Sequence, residues 1–352
     1  MHALAPDPHP DVVPTDDPPT PATPRSRPRL GFLGVGWIGG HRLQAIADAG
    51  VAEIAAFCDA APEGLARARA VAPQAAIAGS LDALIDLGLD GLVIATPSAM
   101  HAAQAEAALA RGVAVFCQKP LARTAAETRR VLRAAERADR LLGVDFSYRH
   151  TEAMRRIRPL IRGGQLGRVY AVDLVFHNAY GPDKPWFRDV ALSGGGCVID
   201  LGSHLVDLAL WTLGHPAVSG VSSRLHAQGV PLGPRPGVVE DHAVAQFDTA
   251  DGAVVRLACS WNLAAGRDAV IEAVFHGTQG GAAMRNVNGS FVDFTAERFD
   301  GTRSTVLATP PDDWGGRAAV QWARQLAGGA GHDPAVAGVL QVAEVLDAIY
   351  GR

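Results

Sequence analysis

The sequence predicts an α/β protein with a doubly wound parallel sheet, followed by a second α/β domain whose sheet is open-faced and mostly antiparallel. Strands and helices alternate regularly from residue 29 to residue 148, which is typical of a parallel sheet covered by helices. After residue 148, strand-like runs follow one another with few helices between them, which favours antiparallel pairing with one uncovered face. A chain of 352 residues is long enough for two such domains.

Composition and charge exclude several classes of protein and partner. Apolar residues make up 48% of the chain and charged residues 19%, with a formal net charge of −4, so we expect no nucleic-acid partner. We expect no apolar run long enough to span a membrane, no membrane partner and a cytoplasmic location. The four cysteines and twelve histidines show no metal-ligand spacing, so we predict reduced thiols and no metal site.

The N-terminal segment, residues 1–28, is rich in proline and aspartate and has few large apolar side chains. Such a segment cannot bury enough surface to offset the entropy of ordering, so we predict a disordered leader. Two domains are predicted after it: a Rossmann domain at 29–148 and a domain for substrate binding and oligomerisation at 149–352. The C-terminal helices could pack back onto the first domain.

A glycine-rich motif, Gly34-Val35-Gly36-Trp37-Ile38-Gly39, stands between a predicted strand at 29–35 and a predicted helix at 40–49. Glycines in this position allow a tight turn and a close approach to a pyrophosphate, which the helix N-terminus attracts through its free amides and its dipole. The motif therefore predicts a dinucleotide site, with Gly34, Gly36, Trp37, Ile38 and Gly39 as contacts.

The second predicted strand, at 52–58, ends at Asp59, twenty positions after Gly39. A carboxylate there can accept hydrogen bonds from both hydroxyls of the adenosine ribose, and its charge repels a 2′-phosphate. Ala60 and Ala61 follow, and no adjacent arginine could accommodate such a phosphate. We therefore predict NAD rather than NADP; the alternative is a glycine turn with an ordinary loop aspartate.

The other elements of the first domain continue the alternation. Short apolar runs predict strands at 74–78, 90–95, 113–117 and 141–146. Helices are predicted at 63–71, 81–87, 98–111 and 124–138.

Two turns of this domain are expected at the carboxyl edge of the sheet, where cofactors bind. Thr96-Pro97 ends one strand, and Ser98 could cap the next helix. His101 in that helix is a cofactor candidate, although a position facing water is equally compatible with the sequence. Gln118-Lys119-Pro120 ends the following strand, so Lys119 is either a solvated loop residue or part of the site.

The second domain is predicted to begin with a helix at 152–162, a long strand at 168–179 and a loop at 180–192 that could cover a cleft. Further strands are predicted at 218–227, 242–247, 253–261, 269–276, 282–285 and 291–294. Helices at 318–326 and 335–350 are predicted to close the chain.

A triple glycine, Gly194-Gly195-Gly196, precedes an apolar helix in which Asp200, Ser203, His204 and Asp207 share one stripe. The simplest interpretation of this stripe is a solvated helix face. Trp211 lies on the same stripe, however, which is unusual for a face in water. An aspartate and a histidine one turn apart can also face a common ligand and exchange protons with it.

Taken together, these motifs resemble the Gfo/Idh/MocA family of nicotinamide-dependent oxidoreductases of sugars and cyclitols. The motifs are specific in combination and occur in the family's order from about residue 29 to the last helix. They are the turn at 34–39, Asp59, Thr96-Pro97 with His101, Gln118-Lys119-Pro120, and the triple glycine with Asp200, Gly202 and His204. One departure is Gln118, where the family usually has glutamate; the change keeps hydrogen bonding and loses a charge.

The resemblance implies hydride transfer between NAD and a secondary alcohol of a sugar, a sugar derivative or a cyclitol. It implies that Lys119, Asp200 and His204 meet at the nicotinamide, where Gln118 also contacts the cofactor. His204 would act as the general base, Lys119 would hold the reacting oxygen, and Asp200 would bind a neighbouring hydroxyl or orient the pair. It further implies a homodimer or homotetramer formed through the C-terminal sheet.

Substrate contacts are expected near the loop that enters the site. Candidates are Arg149, His177, Tyr180 and Trp186, with Asn178 and Arg188 beside them. Two other functions remain open. One is a glycosidase-type enzyme that retains its NAD, and the other is a regulator that senses nucleotide without catalysis.

Overall fold

The computed structural model describes residues 27–352, so the predicted leader lies almost wholly outside the described residues and stays a prediction. The first sheet has six strands, each paired in parallel. They are Arg29–Leu33 (β1), Glu53–Cys58 (β2), Ala76–Ile77 (β3), Gly91–Ile94 (β4), Ala114–Cys117 (β5) and Leu142–Val144 (β6). Their spatial order is β3-β2-β1-β4-β5-β6, which is the doubly wound order predicted.

Five helices connect these strands: Trp37–Ala49 (α1), Pro62–Val71 (α2), Leu81–Ile85 (α3), Ser98–Ala110 (α4) and Ala125–Ala138 (α5). Helix α5 begins where the sequence provides a cap, since the Thr124 side chain accepts a hydrogen bond from the Glu127 amide. The predicted cap of α4 was wrong. Ser98 is already helical and buried, and Pro97 precedes it without any side-chain cap.

The second sheet has nine strands, of which β7 and β11 pair in parallel and the other neighbours pair antiparallel. They are Val169–Asn178 (β7), Val218–Ala227 (β8), Val230–Leu232 (β9), His242–Thr249 (β10), Val254–Ser260 (β11), Ala269–Gly277 (β12), Gly280–Asn286 (β13), Phe294–Asp300 (β14) and Arg303–Ala308 (β15). The spatial order is β15-β14-β13-β12-β7-β11-β10-β8-β9. The strand predicted at 291–294 instead begins at its last residue, and β9 and β15 were not predicted.

Helices cover one face of the second sheet and connect the two halves of the chain. They are Glu152–Arg162 (α6), Val190–Ser193 (α7), Ser203–Leu213 (α8), Arg317–Ala327 (α9) and Gly338–Tyr350 (α10). Helices α6 and α8 pack against this sheet, α9 packs against α1 and β5, and α10 packs against α5 and α8. Strand β10 alternates between buried and exposed residues, as expected for a sheet with one open face.

One part of the structure differs from the expectation about apolar runs. The helical run Val190–Leu213 is long and apolar enough to cross a membrane by length and composition. However, 83% of its most apolar window is buried inside the structure. Burial of this kind is typical of a core helix that packs against other elements of its own fold.

Candidate active site

The glycine motif forms a cradle at the point where the strand order reverses between β1 and β4. A Cβ atom on Gly34, whose φ is +85°, would lie 2.6 Å from the carbonyl oxygen of Ala95. A Cβ on Gly39 would lie 2.0 Å from the carbonyl oxygen of Gly34. A Cβ on Gly36, by contrast, would meet nothing within 4 Å. Gly34 and Gly39 are therefore required by the close packing of the backbone. Gly36 faces open space into which a ligand can fit.

The cradle has the donors that a pyrophosphate requires. Helix α1 begins directly after Gly36, which makes no side-chain cap hydrogen bond. The first-turn amides of Trp37, Ile38 and Gly39 therefore point at the open space with the positive end of the helix dipole. Trp37 itself is 80% exposed beside the cradle. The residues present thus fit a dinucleotide cofactor.

Asp59 stands beside the glycine turn, as predicted, and it also holds the turn in shape. One carboxylate oxygen accepts a hydrogen bond from the Val35 amide at 2.6 Å, and the other accepts one from the Ala61 amide at 2.8 Å. Each carboxylate oxygen has a further lone pair, so the partly exposed side chain can still accept hydrogen bonds from a ribose.

His101 does not face water, so that alternative was wrong, whereas its contact with the cofactor stays a prediction. The side chain is 1% exposed, and its two ring nitrogens lie 2.8 Å from the Pro120 carbonyl oxygen and 2.7 Å from that of Thr96. Burial lowers the pKa of His101. The histidine ties together the two turns at the sheet edge; Thr96 and Pro97 themselves lie half-buried there, beside the cradle.

Lys119 and Asp200 meet at this edge, although they are 81 residues apart in sequence. The Lys119 Nζ donates to the Asp200 carbonyl oxygen at 2.6 Å and to its Oδ1 at 2.8 Å. An ammonium group has three N–H bonds, so one remains for a substrate oxygen. The sequence did not reveal a third member, Trp261, whose Nε1 donates to Asp200 Oδ2 at 3.1 Å.

His204 lies in the same place and is almost completely buried, at 8% exposure. Its ring contacts Tyr148 edge-to-face with centroids 4.7 Å apart, and its Nδ1 is buried without a hydrogen-bond partner. Burial lowers the pKa of His204 well below its usual value, and the positive charges of Lys119 and Arg42 lower it further. The imidazole is therefore neutral at neutral pH and able to accept a proton through Nε2.

The polar stripe that carries Asp200 and His204 is buried, so the solvated-face interpretation was wrong. A π-helical turn, Val198–Gly202, connects directly with α8. Asp207 is 1% exposed, and both of its carboxylate oxygens accept hydrogen bonds from Arg149. Arg149 is thereby paired with a buried carboxylate, and its contact with substrate stays a prediction.

The triple glycine brings the chain close to other parts of the protein rather than to a ligand. A Cβ on Gly195 would lie 2.1 Å from the Tyr350 hydroxyl, and one on Gly196 would lie 1.9 Å from the carbonyl oxygen of Glu240. Gly194 has a φ of +88°.

The candidate substrate residues separate in space. Trp186 stacks on Phe187 with centroids 3.8 Å apart, and Phe187 meets Trp261 edge-to-face, so the loop reaches the site through aromatic contacts. The Tyr180 hydroxyl donates instead to Asp268. His177 is hydrogen-bonded to Ser260 at 2.8 Å and stacks near His242 on the open face of the sheet, away from Lys119.

Family comparisons agree with this geometry. The oxidoreductase family model with a NAD-binding Rossmann fold matches residues 29–146, and the GFO/IDH/MocA C-terminal domain model matches residues 154–283. Fold and site thus define a dinucleotide-binding oxidoreductase. The chain belongs to the Gfo/Idh/MocA family, and its matching relatives include sugar and cyclitol dehydrogenases.

Individual relatives share about a quarter to a third of their residues with this chain. The rhizopine catabolism protein MocA of Rhizobium meliloti is 33% identical to this chain. The matched region covers 54% of this chain and 58% of that relative. A putative UDP-kanosamine synthase oxidoreductase subunit of Amycolatopsis mediterranei is 31% identical over 73% of this chain and 75% of its own length. Among solved structures, GenD2 from gentamicin A biosynthesis with NAD is 25% identical, covers 97% of both chains and gives a TM-score of 0.77.

Proposed function

We propose that this protein transfers a hydride between NAD and a secondary alcohol on the ring of a sugar, a sugar derivative or a cyclitol, in the cytoplasm. The observation that carries the proposal is the Lys119–Asp200 ion pair beside a buried, neutral His204 at the edge of a dinucleotide-binding sheet. Membership in a family of sugar and cyclitol dehydrogenases supports the substrate class.

The cofactor would be held by the glycine cradle, by Asp59 and by the half-buried Thr96-Pro97 turn. When bound, the nicotinamide ring accepts or donates the hydride. NAD is favoured over NADP because the carboxylate of Asp59 stands at the end of β2, where a 2′-phosphate would meet its negative charge. Solved neighbours of this fold hold NAD, NADH or NADP, so the preference rests on Asp59 itself.

The three polar residues divide the chemistry between them. Neutral His204 takes the hydroxyl proton as the alcohol is oxidised and returns it in the reverse direction. The free N–H of Lys119 donates to the same oxygen and stabilises the negative charge that develops there. Asp200 has both oxygens engaged, by Lys119 and by Trp261, so we assign it to orienting the lysine.

The experiment that tests this function is a panel of polyols, aldoses and uronates, each with NAD and with NADP, followed by absorbance of the reduced cofactor. We expect turnover with NAD on at least one ring alcohol. The variant His204→Ala should lose at least about 10²-fold in turnover because it lacks the base, while its affinity for NAD stays nearly unchanged.

Three outcomes would contradict the proposal or a part of it. Full turnover by His204→Ala would remove the histidine from the mechanism. Copurified cofactor with no reduced product across the whole panel would favour the glycosidase-type enzyme that retains its NAD. A preference for NADP would contradict the role given to Asp59.

We also infer a homodimer or homotetramer formed through the open face of the second sheet. Apolar side chains on this face are partly exposed, among them Val244 at 42% and Val254 at 39%. Pairing with a second copy would remove this apolar area from water. A monomeric mass by light scattering at micromolar concentration would contradict the inference.

A further inference from the structure

A buried polar chain links helix α1 to the strand end that carries Lys119. Asp145 follows β6 and is 1% exposed. Its Oδ2 accepts a hydrogen bond from Arg42 Nε at 2.6 Å and another from the side-chain amide of Gln118. Its Oδ1 is buried and has no partner. The side-chain amide of Gln118, which was predicted to contact the cofactor, therefore donates a hydrogen bond to Asp145.

This arrangement contains one cation, Arg42, and one carboxylate, Asp145. The Gln118 amide donates to that carboxylate, and Lys119 is the next residue along the chain. Arg42 is 5% exposed and Gln118 is 8% exposed, so water cannot neutralise an added charge. A glutamate at position 118 would place a second carboxylate within hydrogen-bond distance of Asp145. Two adjacent buried carboxylates cannot both stay ionised.

We propose that Asp145 is a positioning residue of the active site. Its buried carboxylate, directly after β6, neutralises Arg42 close to Lys119 and His204. This inference rests on the proposed function. In it, Gln118 is the matching amide, which donates to the Asp145 carboxylate at the position where the family usually has glutamate.

Asp145 is expected to affect catalysis by changing the pKa of His204. The charged and titratable groups around His204 are Lys119 from β5, Arg42 from α1, Tyr148 after β6 and Asp200 one turn earlier. Arg42 lowers the pKa of His204, and a carboxylate bonded to Arg42 weakens that effect because an ion pair has a smaller field than a lone charge.

Asp145 has its own surroundings, which the test must take into account. Its charge acts on His41 of α1, on His150 at the end of the 3₁₀ turn that follows β6, and on Cys117 of β5. None of these groups touches Lys119 or Asp200 through a hydrogen bond in the described residues.

The test is a double-mutant cycle with Asp145→Asn, Gln118→Glu and the combination of both. In the double variant, the introduced asparagine can accept from Arg42 and donate to the introduced glutamate, so both hydrogen bonds and the single negative charge are retained. Three quantities are measured: the melting temperature, the acidic limb of the pH profile of turnover, and the pKa of His204 by NMR, assigned with His204→Gln.

Each single variant should lower the melting temperature, since one leaves Arg42 unpaired and the other crowds two carboxylates. Asp145→Asn should move the acidic limb and the His204 pKa to lower pH, because Arg42 is no longer neutralised. Gln118→Glu should leave both near their wild-type values, because one of the two adjacent buried carboxylates takes up a proton and the net charge beside Arg42 is unchanged. The double variant should return toward the wild type in all three quantities.

Asp207→Asn is the matched control, because it breaks another buried arginine–aspartate pair, with Arg149. Arg42 is among the charges that lower the pKa of His204, whereas Arg149 is not, so this variant should lower the melting temperature and move the acidic limb less than Asp145→Asn does. The proposal is overturned if the His204 pKa is the same in all four proteins of the cycle, or if the stability losses of the two singles simply add in the double. The NMR and melting data decide this even if the wild type shows no turnover, which would overturn only the proposed function.

Discussion

At the scale of single residues, the site depends on how Asp200 is held. One carboxylate oxygen faces Lys119 and the other accepts the indole N–H of Trp261, which is 3% exposed. A carboxylate fixed at both oxygens cannot rotate, so it keeps the lysine ammonium pointed at one position. Hydrogen bonds to a charged group stabilise by about 1.5–3 kcal/mol, which is enough to select one orientation.

Trp261→Phe tests this role while keeping an aromatic ring against Phe187. The variant loses the bond to Asp200, so Lys119 samples other orientations and turnover should fall about tenfold or more, the equivalent of about 1.4 kcal/mol or more. Affinity for NAD should be unchanged, as measured by quenching of protein fluorescence. The control is Trp322→Phe in α9, which packs against the first domain; its indole nitrogen is buried without a partner, and its loss should leave turnover intact. Equal turnover in both variants would remove Trp261 from the site.

The sequence predicted those residues whose role depends on local pattern. The glycine turn, Lys119 before a proline, and the spacing of Asp200 and His204 all follow from a few neighbouring positions. The hydrogen-bond partners of His101 and Arg149, two carbonyl oxygens and Asp207, were not predicted because they lie on other elements. Nothing in a sequence shows which distant group a buried polar side chain will meet.

At the scale of elements, the helical segment that carries Asp200 and His204 has a buried carboxylate, that of Glu240, at its N-terminus. Glu240 is 0% exposed, and its carboxylate accepts from the amides of Gly196 and Val198 and from the Tyr350 hydroxyl. Negative charge at a helix N-terminus is favourable because of the helix dipole and the free amides there. Burial raises the pKa of Glu240, while the hydrogen bonds from these donors act in the opposite direction.

Glu240→Gln should destabilise the protein more than a change of one hydrogen bond would. The introduced amide keeps the volume but removes the charge and can turn N–H groups toward the backbone donors, with an expected loss of about 2–3 kcal/mol in the free energy of unfolding. Tyr350→Phe, which removes only one of the donors to this carboxylate, should lose less. Chemical denaturation of both variants measures the difference, and equal losses would contradict the role of the anion.

Element prediction succeeded where burial and sequence pattern coincide. Strands β4 and β5 are buried along their whole length and were predicted as short apolar runs. Strand β15 was missed because its first four residues are exposed at the edge of the sheet, so no alternation of apolar residues marks it. The π-helical turn has no sequence signal either, because its apolar residues fit an α-helix equally well.

At the scale of the whole molecule, the two sheets place several histidines in buried, neutral states. His150 stands after β6, where burial first, and then the charges of Arg149, Arg155 and Arg317, lower its pKa to about 4 against the opposing effect of Asp145. The pKa values of His101 and His204 are also lowered, in both cases chiefly by burial. The burial of these histidines therefore makes the fold sensitive to acid.

The sign of this effect follows from proton linkage. An unfolded histidine takes up a proton near pH 6.5, whereas His150 in the folded chain does so only near pH 4. Between these values the unfolded state binds more protons, so the free energy of unfolding falls as the pH falls through this window, and the contribution of His150 levels off below about pH 4.

His150→Gln has no proton to gain, so its stability relative to the wild type should rise steadily as the pH falls from 6.5 to 4. Above pH 7.5 the difference between the two proteins should be constant, which provides the control within the same experiment. Denaturant unfolding at several pH values measures this difference, and a difference that does not change with pH would show that His150 titrates in the folded protein as it does in the unfolded chain.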